Sequence, residues 1–222
     1  MTGRLQQNAD AVRRRVQAAC RRRNRDPRDV TIIAVTKSVG PELIDALIGL
    51  GFSDLGENRA VEAAEKLARV RGKARWHFIG HLQTNKAKKM LDRFDVIHSV
   101  DRRELAIELE KRLAAANRRM PAFIEVNAGA EAAKGGLPPE AVAEFVPWIR
   151  RDCPHLELHG LMTMAPNTAP EATRPVFRRL RELAVQAGLP GLSMGMSNDF
   201  EVAVEEGATH VRIGTALFEG VQ

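Results

Sequence analysis

One pattern constrains this chain more than any other: a short apolar run followed by a helical segment recurs eight times along it. Residues 30–36 are rich in β-branched side chains and read as a buried strand. Pro41 and Glu42 open a helix that continues to Leu50, where Gly51 stops it. Further strands are predicted near 53–57, 75–80, 96–100, 121–128, 156–164, 191–196 and 209–215. Helical segments fall between them near 58–70, 84–92, 102–117, 138–152, 170–188 and 199–206, with a last helical turn from about 215. Gly72, Gly188 and Gly207 mark helix ends. Strict strand–helix alternation implies a parallel sheet, because each crossover returns the chain to the same end. Eight such units fit a closed (β/α)8 TIM-type barrel; a doubly wound open sheet is the alternative. Ahead of the first strand, Leu5, Ala9, Val12, Val16, Ala19 and Cys20 recur at helical spacing, so an extra N-terminal helix is expected before Arg25-Asp26-Pro27. No linker or low-complexity stretch interrupts the pattern, and residues 1–222 are expected to form one domain.

With 44% hydrophobic and 28% charged residues in 222, the chain has enough apolar material for a full core. No apolar run approaches the roughly 18 residues of a membrane span. The N-terminus lacks the apolar centre of a signal peptide, so a cytoplasmic protein without a membrane partner is expected. Cys20 and Cys153 stand alone, without CxxC or Cys/His spacing, and neither a disulfide nor a metal site is expected. The net charge of +6 raises nucleic acid as a partner. Much of the excess, however, sits in Arg13, Arg14, Arg15, Arg21, Arg22, Arg23 and Arg25 of the N-terminal segment. Eight Phe, two Trp and no Tyr offer no evident stacking platform for bases, so nucleic acid is not expected.

In a (β/α)8 barrel the chemistry sits where strands end and helices begin. Here those junctions hold Lys37, Glu57-Asn58, Gly80-His81, Ser99, Asn127, Met164, Ser197-Asn198 and Arg212-Gly214-Thr215. A lysine ending an apolar strand is partly withdrawn from water and suited to Schiff-base chemistry; the plainer reading is a rim lysine reaching solvent. Gly195 and Gly214 allow close backbone approach, and Ser197 and Thr215 add hydroxyls, at the two strands after which barrels often bind phosphate. Ordinary helix capping is the alternative there. Arg212 points to the same side as position 214, either toward a ligand or into an ion pair with Glu57. His77 alternates with Trp76 and Phe78 and reads as a satisfied core histidine. His81, Gln83, Asn85 and Lys86 follow on a loop and helix start, where capping, ligand binding and exposure all remain open.

These blocks together resemble the pyridoxal-phosphate homeostasis protein family, single-domain barrels similar to the N-terminal domain of alanine racemase. The matching stretches include Ala34-Val35-Thr36-Lys37, Gly56-Glu57-Asn58, Trp76 through Lys86, His98-Ser99-Val100-Asp101, Gly160 through Met164, Leu192 through Asp199 and Val211 through Phe218. The resemblance implies pyridoxal 5′-phosphate (PLP) as cofactor, carried by Lys37 as an internal aldimine. It implies phosphate contacts from Ser197, Gly214 and Thr215, and Arg212 facing the pyridine nitrogen. Asn58 falls near the cofactor, and Met164 and Met196 line the surroundings of the ring. Lys134 falls on a second lysine at the pocket edge, although residues 126–131 before it depart from the more polar pattern of the family.

The resemblance also implies a protein that holds PLP and hands it on to PLP-requiring apo-enzymes, expected here as a monomer. The alternative is a PLP-dependent, racemase-like amino-acid enzyme. Alanine racemase takes a second base from a tyrosine of the partner subunit's C-terminal domain, whereas this chain has no tyrosine. An arginine facing the pyridine nitrogen also weakens the cofactor as an electron sink, so no robust catalytic activity and no catalytic residue are expected.

Overall fold

The structure is a computed structural model that describes residues 2–131 and 135–221. It opens with helix α1 (Thr2–Arg22), followed by β1 (Thr31–Val35), α2 (Pro41–Gly49), β2 (Asp54–Glu57), α3 (Ala60–Ala68), β3 (Arg75–Phe78) and α4 (Ala87–Leu91). Next come β4 (Val96–Val100), α5 (Arg103–Ala115), β5 (Met120–Glu125), α6 (Val142–Asp152), β6 (Leu156–Met162) and α7 (Arg174–Gln186). The chain ends in β7 (Gly191–Ser193), α8 (Phe200–Glu205), β8 (His210–Ile213) and the short α9 (Thr215–Phe218). Each strand pairs in parallel with the next, and β8 pairs with β1, so the sheet closes into a barrel and the open-sheet alternative falls away.

Several predicted strands run past their ladders at the C-terminal end. The segment expected at 191–196 pairs only over Gly191–Ser193, because Gly195 takes φ +91 and turns the chain; a side chain there would lie 2.5 Å from Ala203 Cβ. The segment expected at 121–128 leaves the ladder after Glu125, where Val126 bridges to Leu137. These early exits splay the loops apart and make room for a cavity at that end.

Helix α1 has no acidic residue in its first turn and gains stability from what it covers. Leu5, Ala9, Val12, Val16, Ala19 and Cys20 are all buried. Each fully buried Leu or Val contributes roughly 1.5–3 kcal/mol, more than an exposed ion pair, so packing docks this helix. Asn8 Nδ2 adds hydrogen bonds to Leu217 O (3.0 Å) and Glu219 O (2.9 Å), tying α1 to the end of α9. Three of the N-terminal arginines reach α8 and the turn after it: Arg15 pairs with Glu201 (2.9 Å), Arg22 with Glu205 (2.5 Å), and Arg25 donates to Val204 O and Ala208 O.

The barrel interior is divided. Val96, Phe123 and Met162 form a small apolar cluster apart from the main core, which lies between strands and helices. Beside that cluster sit polar side chains with almost no exposure: His77, His98, Ser193, Glu125 and Arg212.

Candidate functional site

The loops at the C-terminal ends of the strands enclose a cavity of about 780 Å³. Lys37 and Ser38 follow β1, Asn58 follows β2, and Ile79, Gly80 and His81 follow β3. Met164 enters after β6, Met196 and Ser197 after β7, and Gly214 and Thr215 after β8. Arg212 and Glu125 rise from the strands themselves. Every site residue expected from the sequence therefore lines one cavity, except Lys134, which lies outside the described residues. A smaller cavity of about 350 Å³ between the α6 and α7 region lacks such a convergence of amine, guanidinium and hydroxyl groups.

The route into Lys37 is fixed by a buried network. The Glu57 carboxylate accepts from Thr36 Oγ1 (2.6 Å) and pairs with Lys66 Nζ (2.5 Å), while Lys66 also donates to Thr36 O (2.8 Å). Glu57 is thus occupied on the β1–β2 side, and the expected alternative of an Arg212–Glu57 ion pair is not what forms. Lys37 itself is exposed at the mouth of the cavity, contrary to the expectation of partial withdrawal from water. The strand stops at Val35, two residues earlier, so the lysine stands on the turn and not in the apolar sleeve.

Arg212 is buried at 3% exposure and donates from Nη1 to Ser193 Oγ (2.8 Å) and from Nη2 to Thr163 O (2.9 Å). Burial pushes its guanidinium down to about 10, against the pull of Glu125 and Asp199, so it stays charged at neutral pH. Asn58 is set by close packing: a Cβ on Gly80 would lie 2.1 Å from Asn58 O, so only glycine lets the β3 loop press against the β2 loop. Ser197 Oγ accepts from Ala216 N (3.1 Å), joining the loops after β7 and β8 and leaving the hydroxyl hydrogen available. Met164 and Met196, at 39% and 37% exposure, give the mouth an apolar rim.

Glu125 is a cavity residue that sequence reasoning missed. It is 6% exposed, and burial first, then Asp101, pushes its carboxyl up to about 7, with Arg212 opposing. The signal was present in the strand alternation, which puts position 125 on the same face as the interior Phe123. Of the other junction residues, Ser99 is buried away from the cavity, and Asn127 bonds the backbone of Glu131 (2.8 and 3.2 Å). His81 faces Asp101 at 3.6 Å, and His77 is buried and hydrogen-bonded. Among the described residues no cluster of His, Cys, Asp or Glu could hold a metal ion.

Residues 7–221 match the family described as alanine racemase, N-terminal domain. The pyridoxal phosphate homeostasis protein of Aquifex aeolicus is 44% identical over 215 residues, covering 93% of this chain and 94% of that protein. Its counterpart of the same name in Pseudomonas aeruginosa is 39% identical over 221 residues, covering 96% and 94%. Among solved structures, PipY of Synechococcus elongatus with PLP bound superposes with a TM-score of 0.81 at 33% identity, covering 92% of this chain and 99% of that one. The closed barrel, the cavity at its C-terminal end and these end-to-end similarities together place the chain: it belongs to the pyridoxal phosphate homeostasis protein family, built on the alanine racemase N-terminal domain fold.

Proposed function

We propose that this chain binds PLP covalently through Lys37 and serves to hold the cofactor and release it to apo-enzymes. The observation that carries this reading is the convergence of the Lys37 amine, the buried Arg212 guanidinium, the Ser197 and Thr215 hydroxyls and apolar walls on a single cavity. These residues fit the group. Lys37 supplies a primary amine for an aldehyde, and Val35, Ile79, Met164 and Met196 supply apolar surface for a heteroaromatic ring. Ser197 and Thr215 supply hydroxyl donors for a phosphate, next to the N–H groups that begin α9 at Gly214. Arg212 can donate and cannot accept, so it suits a ring nitrogen that carries no proton. When bound, PLP supplies an aldehyde that bonds reversibly to amines.

Storage is favoured over amino-acid chemistry on two grounds. The chain contains no tyrosine to act as a second base, and its buried guanidinium disfavours a protonated pyridine. The working unit in this reading is a one-domain monomer over residues 1–222 in the cytoplasm, with apo-enzymes as its transient partners. The protein loaded with PLP should be yellow. Borohydride reduction followed by peptide mapping should place the pyridoxyl mass on Lys37, and Lys37→Ala should lose the visible band while keeping its far-UV spectrum. A pyridoxyl mass found only on another lysine, or no uptake of PLP, would overturn the reading.

A further inference from the structure

A line of buried side chains runs away from the cavity to the opposite end of the barrel. Arg212 Nη1 donates to Ser193 Oγ (2.8 Å), Ser193 Oγ meets His98 Nδ1 (2.8 Å), His98 Nε2 meets His77 Nδ1 (2.9 Å), and His77 Nε2 meets Asp54 Oδ1 (3.0 Å). Asp54 is the first residue of β2, at the strand end remote from Lys37, and its side chain is 19% exposed. His98 is wedged in place by a stacked contact with Phe123, with ring centroids 4.4 Å apart. The proposed cofactor site uses only the first member of this line.

We propose that Arg212, Ser193, His98, His77 and Asp54 form a one-directional hydrogen-bond relay across the barrel, in which the last four are positioning residues that aim the guanidinium into the cavity. The direction follows from the two ends. An ionised carboxylate only accepts, so His77 Nε2 must donate to Asp54. A neutral imidazole has one donor and one acceptor, so His77 Nδ1 accepts and His98 Nε2 donates. By the same rule His98 Nδ1 accepts from the Ser193 hydroxyl, whose oxygen is then oriented to accept from Arg212, a group that can only donate. No two donors and no two acceptors meet anywhere along the line. Both imidazoles are neutral because burial is the leading effect on each: a second and third cation in the same interior as Arg212 would be left without solvent. Asp54 stays ionised because, although burial acts to raise it, hydrogen bonds from His77 and Ser53 hold its carboxyl below the usual range. Asp199 and Glu125 act on Arg212 by charge, and of the titratable groups around the line Arg75, Asp95, His210 and Glu125 form no hydrogen bond to it among the described residues.

The proposal rests on the reading of the cavity as a PLP site only in its second test. The first uses the ligand-free full chain labelled with 15N-histidine. Long-range 1H–15N correlation at pH 7.5 should show His77 and His98 both neutral with the proton on Nε2. A proton on Nδ1 of either ring, or a doubly protonated ring, would overturn the direction. In Asp54→Ala, where the acceptor that sets the direction is gone, both rings should lose the pure Nε2–H signature, whereas Ser193→Ala should leave both tautomers as they are. The second test measures PLP affinity of Ser193→Ala and of Asp54→Ala, which is remote from the cavity and partly exposed. Each should weaken PLP binding by about two- to tenfold, the effect of losing one hydrogen bond. Asp54→Asn, which keeps an acceptor oxygen, should restore wild-type affinity. Unchanged affinity in Asp54→Ala reduces the line to a local Arg212–Ser193 contact and overturns the relay. Failure of the wild-type chain to take up PLP would refute the cofactor reading and leave the tautomer test to decide the relay alone.

Discussion

At the scale of single residues, Glu125 shows how a barrel interior can alter ordinary chemistry. Its carboxyl, pushed up to about 7, keeps its proton in the folded chain over a pH range where the unfolded chain has released it. The stability this contributes is full below the unfolded value near 4.5 and is lost as pH rises through about 7. Glu125→Gln removes the titration but keeps the shape. Relative to wild type, the variant should therefore gain stability between pH 5 and pH 8, by at most about 3 kcal/mol. Urea unfolding at the two pH values measures this, and an unchanged difference would mean that Glu125 is solvated in the cavity. The residue escaped notice in the sequence because Phe123-Ile124-Glu125-Val126 reads as strand, and only closure of the barrel turns its face inward. Lys37 was legible for the opposite reason: an amine just past an apolar run is visible without any tertiary partner, although its exposure was not.

At the scale of elements, the arginine-rich helix α1 acquires a structural reading from its neighbours. Glu205 and Glu206, at the end of α8, gather guanidinium groups from α1 and α7. Glu206 has a fully buried side chain, with Arg174 and Arg181 at 3.0 Å and Arg23 and Arg178 at 3.6 Å. Glu201, one turn earlier, is one-third exposed and meets Arg15 at 2.9 Å and Arg22 at 4.0 Å. Burial decides which matters. Removing a buried charge that organises several partners costs several kcal/mol, whereas an exposed pair is worth less than about 1 kcal/mol. Because the arginines around Glu206 keep partial contact with water, Glu206→Ala should cost about 2–3 kcal/mol and Glu201→Ala less than about 1. Chemical denaturation of the two variants checks this, and equal losses would contradict the ranking. The sequence showed the run of arginines but not their acidic partners, since the contacts span more than 180 positions.

For the whole molecule, the interior imidazoles set the response to acid. Burial lowers His77 and His98 and takes His210 down to about 4, so all three are neutral when folded and must be charged once unfolded below pH 6.5. Between pH 6.5 and about 4 the unfolded chain binds more protons, and stability falls as pH falls. Glu125 works in the other direction over part of this range, but it is one group against three. The urea midpoint should therefore drop steeply between pH 7 and 4.5, and Glu125→Gln should steepen the drop. A flat or rising midpoint would show that the three rings accept protons inside the barrel at no cost.

The sequence by itself determined the alternation of strand and helix, the apolar face of α1 and the concentration of polar groups at strand ends. Each depends on local periodicity or on short blocks of neighbouring residues, and such signals survive without knowledge of distant contacts. Closure by β8 against β1 was an inference from counting, and the ladder from Thr31 to Ala34 against His210 to Ile213 made it definite. Only the tertiary structure decided that Arg212 turns to Ser193 and Thr163 instead of Glu57. It alone brought Asp54, His77, His98 and Ser193 into one line, and made Glu125 a wall of the cavity. The reason is physical. Whether a polar side chain ends in water, in an ion pair or in a buried chain of hydrogen bonds depends on what faces it across the barrel, and those partners come from distant strands, as between His98 and Ser193, 95 positions apart.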